Sequence, residues 1–349
     1  MKSLKLLIFV MVATVGMSSI SQAQKVKSPA PASGYHLVDT IKVGGDGGWD
    51  ILTADSEGHR LYVSHSTKVE VIDTAKDKVV GEILNTNGVH GIAVARKYGR
   101  GFTSNGRDDS VTVFDLKTLK TIGTVKVGKN PDCIIYDPFS ARILAFNRGG
   151  SSVTAINAAD STVAGTLDLP GHPEFAESDE AGKIFVNLDD KSEVISFDAK
   201  TLRLGTPWPV APGEDPSGLA IDRKNHRLFM VCGNKMLIVM DSDTGKVLAD
   251  FPTGDGTDGA VFDPKTRFAF SSNGEGTLTI VREEAKDKFS FAENITTQRG
   301  ARTIALDNKT HRVYLPTAQF GPPPPPTADR PNPRPTILPN TFVILVYGR

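Results

Sequence analysis

The chain has 349 residues, in which 40 Lys+Arg balance 40 Asp+Glu, 39% of residues are hydrophobic and 23% are charged. That neutrality argues against a dedicated nucleic-acid binder, which needs a basic excess to displace counterions from phosphates. The apolar content is that of a folded chain, and 33 Gly with 22 Pro favour many short strands and turns over helices.

Residues 1–23 read as a signal peptide. Lys2 and Lys5 give a positive start, Leu6 to Val15 is an apolar run, and Ser21-Gln22-Ala23 places small residues at the −3 and −1 positions of a cleavage site. The run is shorter than the roughly 18 apolar residues of a membrane span, although a retained N-terminal anchor is the rival reading. Cleavage removes two lysines and leaves a net charge of −2. The expected destination is exported, periplasmic or extracellular, with no transmembrane segment after cleavage. Residues 24–34 form a linker into one domain, 35–349.

Along that domain one phrase recurs, a turn followed by a basic anchor and an apolar strand. The anchors are Arg60, Arg100, Arg142, Lys183, Arg227, Arg267 and Arg312, at spacings of 40, 42, 41, 44, 40 and 45 residues. A second alternating run follows each anchor, as in Val69–Asp73, Val111–Asp115 and Leu237–Asp241, and such period-2 runs between turns are strand signals. A third signal, the innermost strand, begins at Trp49, His90, Asp132, Glu174, Ser217, Asp258 and Arg302. Four strands in each repeat of 40–45 residues predict an all-β, seven-bladed β-propeller. The last repeat lacks an outermost strand, and the segment from Tyr35 to Val43 has the right character to supply it. Ring closure by the N-terminal strand would remove an exposed sheet edge.

The phrase Arg60-Leu-Tyr-Val-Ser64, Val69-Glu-Val-Ile-Asp73, Lys78-Val-Val-Gly81 resembles the repeat of the YVTN β-propeller family, which includes exported bacterial proteins of the YncE type. The resemblance implies a seven-bladed exported propeller, and its members differ widely in what they do.

Function is expected at the channel mouth, where loops converge. The candidate ligand-binding residues are Trp49, Asp50, His90, Asp132, Glu174, Asp258 and Arg302, with His65, Asn105, Asn147 and Asn273 at nearby hairpins and His172 beside Glu174. His90, Asp132, Glu174 and Asp258 could offer N and O ligands to a divalent metal, but no tight zinc-type spacing is present. His59, His226 and His311 each precede a basic anchor and read as turn residues. The recurring arginines are expected to pair with the turn carboxylates Asp55, Asp137, Asp222, Asp263 and Asp307. Cys133 and Cys232 are expected to be buried free thiols, being in repeats two apart.

Catalytic signatures are missing: there is no Gly-x-Ser-x-Gly elbow, phosphate loop, paired-His helix or CxxCH sequence. The leading expectation is a non-catalytic binding propeller for a small ligand or an envelope protein partner. Its competitors are a metal-assisted hydrolase or lactonase at the mouth, and a passive envelope scaffold. One segment breaks the repeat: residues 321–340 carry nine prolines, favour polyproline II, and read as either a recognition arm or lid, or a tolerated loop insertion.

Overall fold

The computed structural model describes residues 33–327, 331 and 333–349. The segment expected to be a signal peptide and most of the expected linker lie outside them. Among the described residues no helix is long and apolar enough to cross a membrane.

Seven antiparallel four-stranded sheets form the blades. Their innermost strands are Trp49–Asp55, Val89–Ala95, Pro131–Asp137, Pro173–Ser178, Pro216–Asp222, Thr257–Asp263 and the short Ala305–Leu306. The middle strands of each blade have both faces covered by neighbouring blades, which explains their unbroken apolar runs. All six residues of Arg227–Cys232 are buried, whereas the outermost strand Lys78–Leu84 buries only Ile83. The core therefore lies between blades rather than within them. Leu144 and Val153 of blade 3 meet Ile184 and Ile195 of blade 4, and Phe229 of blade 5 stacks on Phe262 of blade 6 at 4.9 Å.

The ring closes as the sequence predicts. His36–Lys42 pairs antiparallel with Val343–Gly348, from His36 opposite Gly348 to Lys42 opposite Val343. Blade 7 is thus assembled from both ends of the domain. Cys133 and Cys232 are buried and unpaired.

The turn between the first and second strands explains the repeated histidines. His59, His226 and His311 adopt φ of 52°, 59° and 60°, a left-handed conformation that His tolerates better than most side chains. Blade 6 is out of step by one residue: Arg267 itself has φ 60°, and its strand starts at Phe268.

The expected pairing of anchors with turn carboxylates needs correction. The carboxylates cap their own turns, as where Asp137 accepts from Ser140 N and Asp222 from Lys224 N, and Asp55 takes its salt bridge from Arg96. The anchors instead reach the turn between the third and fourth strands of the next blade. Arg100 donates to Ser161 Oγ, Arg142 to the carbonyls of Ala199 and Lys200, Arg227 to Asp287, and Arg312 to Asp77 across the ring closure. A charged fork on a semi-rigid stem can bridge that distance, so the repeated arginine is a tie between blades.

Candidate functional site

Each complete blade presents one residue to the channel mouth through a break in its innermost strand. Pairing with the second strand slips just after the first residue, between Trp49 and Leu52, Val89 and Ile92, Pro131 and Ile134, Pro173 and Ala176, Pro216 and Leu219, and Thr257 and Gly259. A bulge frees the extra residue from the ladder and re-aims its side chain. The residues so placed are Asp50, His90, Asp132, Glu174, Ser217 and Asp258, with Arg302 ahead of the short blade 7 strand. Blade 1 therefore places Asp50 in this series, while Trp49, which aligns with Val89 and Pro131, borders the mouth beside it.

The second strands hold this ring in place. Ser104 Oγ donates to the carbonyl of Asp132, Asn187 Nδ2 to that of Ser217 at 2.9 Å, and Ser272 Oγ to that of Arg302 at 2.6 Å. Each of these bonds crosses to the next blade. Close approach at the axis also requires small residues. A Cβ on Gly218 would stand 2.7 Å from both Ala260 N and Asp258 O, and one on Gly106 would stand 2.7 Å from His90 Nε2.

Around the mouth His90 and Arg302 stand on either side of Asp50, while Asp132 and Glu174 are neighbouring acids. His90 Nδ1 lies 2.6 Å from Asp50 and 3.5 Å from Asp132. Arg302 bridges Asp50, at 3.2 Å, and Asp258. Glu174 turns away from His90 to Arg148, which also holds Asp189. The four expected metal ligands therefore separate. His90 and Asp132 converge with Asp50, their ligand atoms all within 4.8 Å of one another, while Glu174 and Asp258 engage arginines.

Electrostatically the mouth mixes both signs, with Asp50, Asp132, Glu174, Asp189 and Asp258 set among His90, Arg148, Arg299, Arg302 and Arg334. Burial pushes Asp132 up to about 6, with the Asp50 charge adding to it against the pull of His90 and the arginines. Burial and the Asp132 charge push Glu174 up to about 7 despite Arg148. Burial opposes a charge on His90, but the hydrogen bond to Asp50 and the charges of Asp132 and Asp50 prevail and raise its pKa.

Arg334, Pro335 and Ile337 of the proline-rich insertion border this mouth. The base of the insertion is a short hairpin in which Gly321 N donates to Thr336 O and Leu338 N to Gln319 O. Asn340 N reaches Gly45 O in the loop before blade 1. Trp49 stacks on Phe342 at 5.1 Å and meets Phe320 at 6.1 Å, so it anchors the arm while still facing the mouth. Between arm and ring lies a cavity of about 620 Å³, bordered by Asp50, Asp132, Glu174 and Asp258 and by Arg299, Arg302 and Arg334. Below it the axial channel continues as a second cavity of about 350 Å³, lined by Ile51, Ile135, Phe175 and Val261.

If Trp49 anchors the arm, Trp49→Ala will speed amide exchange at Gly321 and Leu338 and lower stability by about 1 kcal/mol for the lost ring pairs. Hydrogen exchange read by mass spectrometry checks this, and unchanged exchange would remove Trp49 from the role.

The other expected site residues fall elsewhere. Asn105, Asn147 and Asn273 are buried and tie the second strand to the third, each donating from Nδ2 to paired hydroxyls such as Ser110 and Thr112. His65 is buried against Glu70, 3.2 Å away, and Phe342. His172 stands at the rim, 3.8 Å from Asp189. Arg148 was not singled out from the sequence, although it occupies the turn Arg148–Gly150 directly after a hairpin asparagine.

No family model matches the chain, and no curated protein matches it. Together the seven blades and their closed ring define a seven-bladed β-propeller. Among solved structures the chain is similar to hydrazine synthase of Kuenenia stuttgartiensis, at 18% identity and a TM-score of 0.67, over 84% of this chain and 95% of the matched one. At that identity the likeness is one of fold.

Proposed function

We propose that this chain is an exported, non-catalytic propeller of the YVTN repeat type that binds a small ligand bearing a cationic centre in the cavity beneath the arm. The observation that carries this reading is the cavity itself, where Asp50, Asp132, Glu174 and Asp258 outnumber Arg299, Arg302 and Arg334 around a space of about 620 Å³ that Trp49, Phe175, Phe320 and Pro335 also line. An ammonium group entering there adds positive charge beside Asp132 and Glu174, whose ionised forms burial disfavours despite His90 and Arg148, and aromatic walls favour such cations. Export is supported by the N-terminal segment, and the repeat type by the phrases around Arg60, Val69 and Lys78.

Trp49 provides the test. In a Trp208→Phe background it is the sole tryptophan, and titration with choline or putrescine will change its emission saturably. Binding requires ionised carboxylates, so affinity will rise with pH as Asp132 and Glu174 titrate at about 6 and about 7. Asp50→Asn with Asp132→Asn will abolish it. A flat response to these probes, or a response that survives the double variant, sinks the reading.

The convergence of Asp50, His90 and Asp132 favours one second reading, a divalent cation held by these three and used in metal-assisted hydrolysis. Elemental analysis of untagged protein decides it. Near-stoichiometric metal that disappears in His90→Ala and Asp132→Ala supports this reading, and metal-free protein removes it.

A further inference from the structure

On the opposite face, between blades 6 and 7, a cleft of about 540 Å³ is lined by Lys265, Arg267, Arg282, His311 and Arg349 together with two threonines, and by no acidic side chain. Its origin lies in the way the ring closes. In blades 2, 3, 5 and 7 the anchor arginine ends on an acceptor in the next blade's outer turn. Blade 6 faces blade 7, whose third and fourth strands are Val343–Gly348 and His36–Lys42. These strands come from the two ends of the domain, so no turn joins them, and among the described residues Arg267 has no blade 7 acceptor of the kind the other anchors find. Arg267 folds back to the carbonyl of Glu284, 2.8 Å away in its own blade, and Arg349 lies over the Phe268 ring.

The nearby acids leave much of this charge unmatched. Asp263 is fully buried beneath the cleft, 3.0 Å from His311, and Glu284 stands 3.5 Å from Arg282. Lys265 and Arg349 have no ion pair among the described residues. We propose that this cleft is a binding site for a phosphate monoester, which supplies the anionic acceptor that the missing turn would have provided. A phosphate offers three terminal oxygens to guanidinium forks arriving from Arg267, Arg282 and Arg349, where a carboxylate would satisfy one fork. The volume exceeds that of inorganic phosphate and leaves room for the esterified group. The site is independent of the mouth and of the function proposed there.

Calorimetric titration of the protein with glycerol 3-phosphate tests the proposal. Saturable binding of one equivalent is expected, weakened at least about tenfold in Lys265→Ser/Arg349→Ser, whose thermal midpoint without phosphate reports that it is folded. Asp50→Asn leaves this binding unchanged. Co-sedimentation with vesicles containing phosphatidic acid, against phosphatidylcholine alone, assigns the source of the phosphate: capture that the double variant loses marks a lipid headgroup, and binding of glycerol 3-phosphate without capture marks a soluble ester. Absence of saturable binding at millimolar glycerol 3-phosphate overturns the proposal. So does binding that the double variant retains, or that chloride at equal ionic strength abolishes.

Discussion

Arg227→Ala is expected to lower the free energy of unfolding by about 3 kcal/mol, measured as a shift of the urea midpoint at pH 7. Arg227 is 2% exposed, a degree of burial unusual for its type. Its guanidinium bonds Asp241 at 2.8 Å, the carbonyl of His226 at 2.7 Å and Asp287 of the next blade. Truncation removes the tie between blades 5 and 6 and leaves a void where the aliphatic stem packed. Asp241 and Asp287 both retain access to water, so the stranded charges add less than they would in a sealed core. Arg227→Met keeps the stem volume, and its loss should therefore be about half as large. Equal losses in the two variants would place the whole effect in the charge.

The second large effect is a fall in stability as pH rises, centred on Glu283. This carboxyl is 1% exposed and Asp222 beside it is 3% exposed, with Asn225 donating to both. Burial, then the hydrogen bond and charge of Asp222, push Glu283 from 4.5 up to about 7. The folded form thus keeps a proton that the unfolded chain gives up near pH 4.5. Linkage then fixes the sign: this group has no effect below about pH 4.5 and destabilises progressively as pH climbs to 7, by roughly 2–3 kcal/mol at most. Glu283→Gln carries the neutral form permanently. It should match the parent at pH 4, exceed it by roughly 2–3 kcal/mol at pH 8, and lessen the slope. Asp132 and Glu174, raised by comparable amounts, leave a residual slope of the same sign. An undiminished slope in Glu283→Gln would mean that Asp222 and Glu283 do not share a proton in the fold.

The architecture was legible because its signals repeat. Seven basic anchors and seven apolar runs overcome the ambiguity of any single short strand, and the orphan strand before Trp49 disclosed how the ring closes. What the sequence concealed were shifts of a single residue. A bulge changes which side chain faces the axis without altering the hydrophobic spacing, so Trp49 stood in for Asp50. The left-handed turn in blade 6 moved Arg267 off its strand for the same reason, since backbone conformation at one position leaves no periodic trace. Partners across blades were also hidden. Arg148 and Glu174 are 26 residues apart and Asp222 and Glu283 are 61 apart, and only the radial arrangement brings each pair together. The hairpin asparagines erred in the opposite direction, for a polar residue at a turn reads as exposed until its buried hydroxyl partners are seen.

The pairing of His36–Lys42 with Val343–Gly348 imposes an order of events on folding. The domain's first strand has no native partner until its last strand is in place, so six blades can assemble while the seventh remains unfinished. The entropy of joining such distant segments grows only logarithmically with the length between them, and the preassembled blades bring the two ends near each other in advance. The final step is therefore a local zippering at one seam. A chain interrupted before Val343 would keep most of its core yet leave both a bare sheet edge and an unpaired N-terminal strand, the complementary halves of an intermolecular graft.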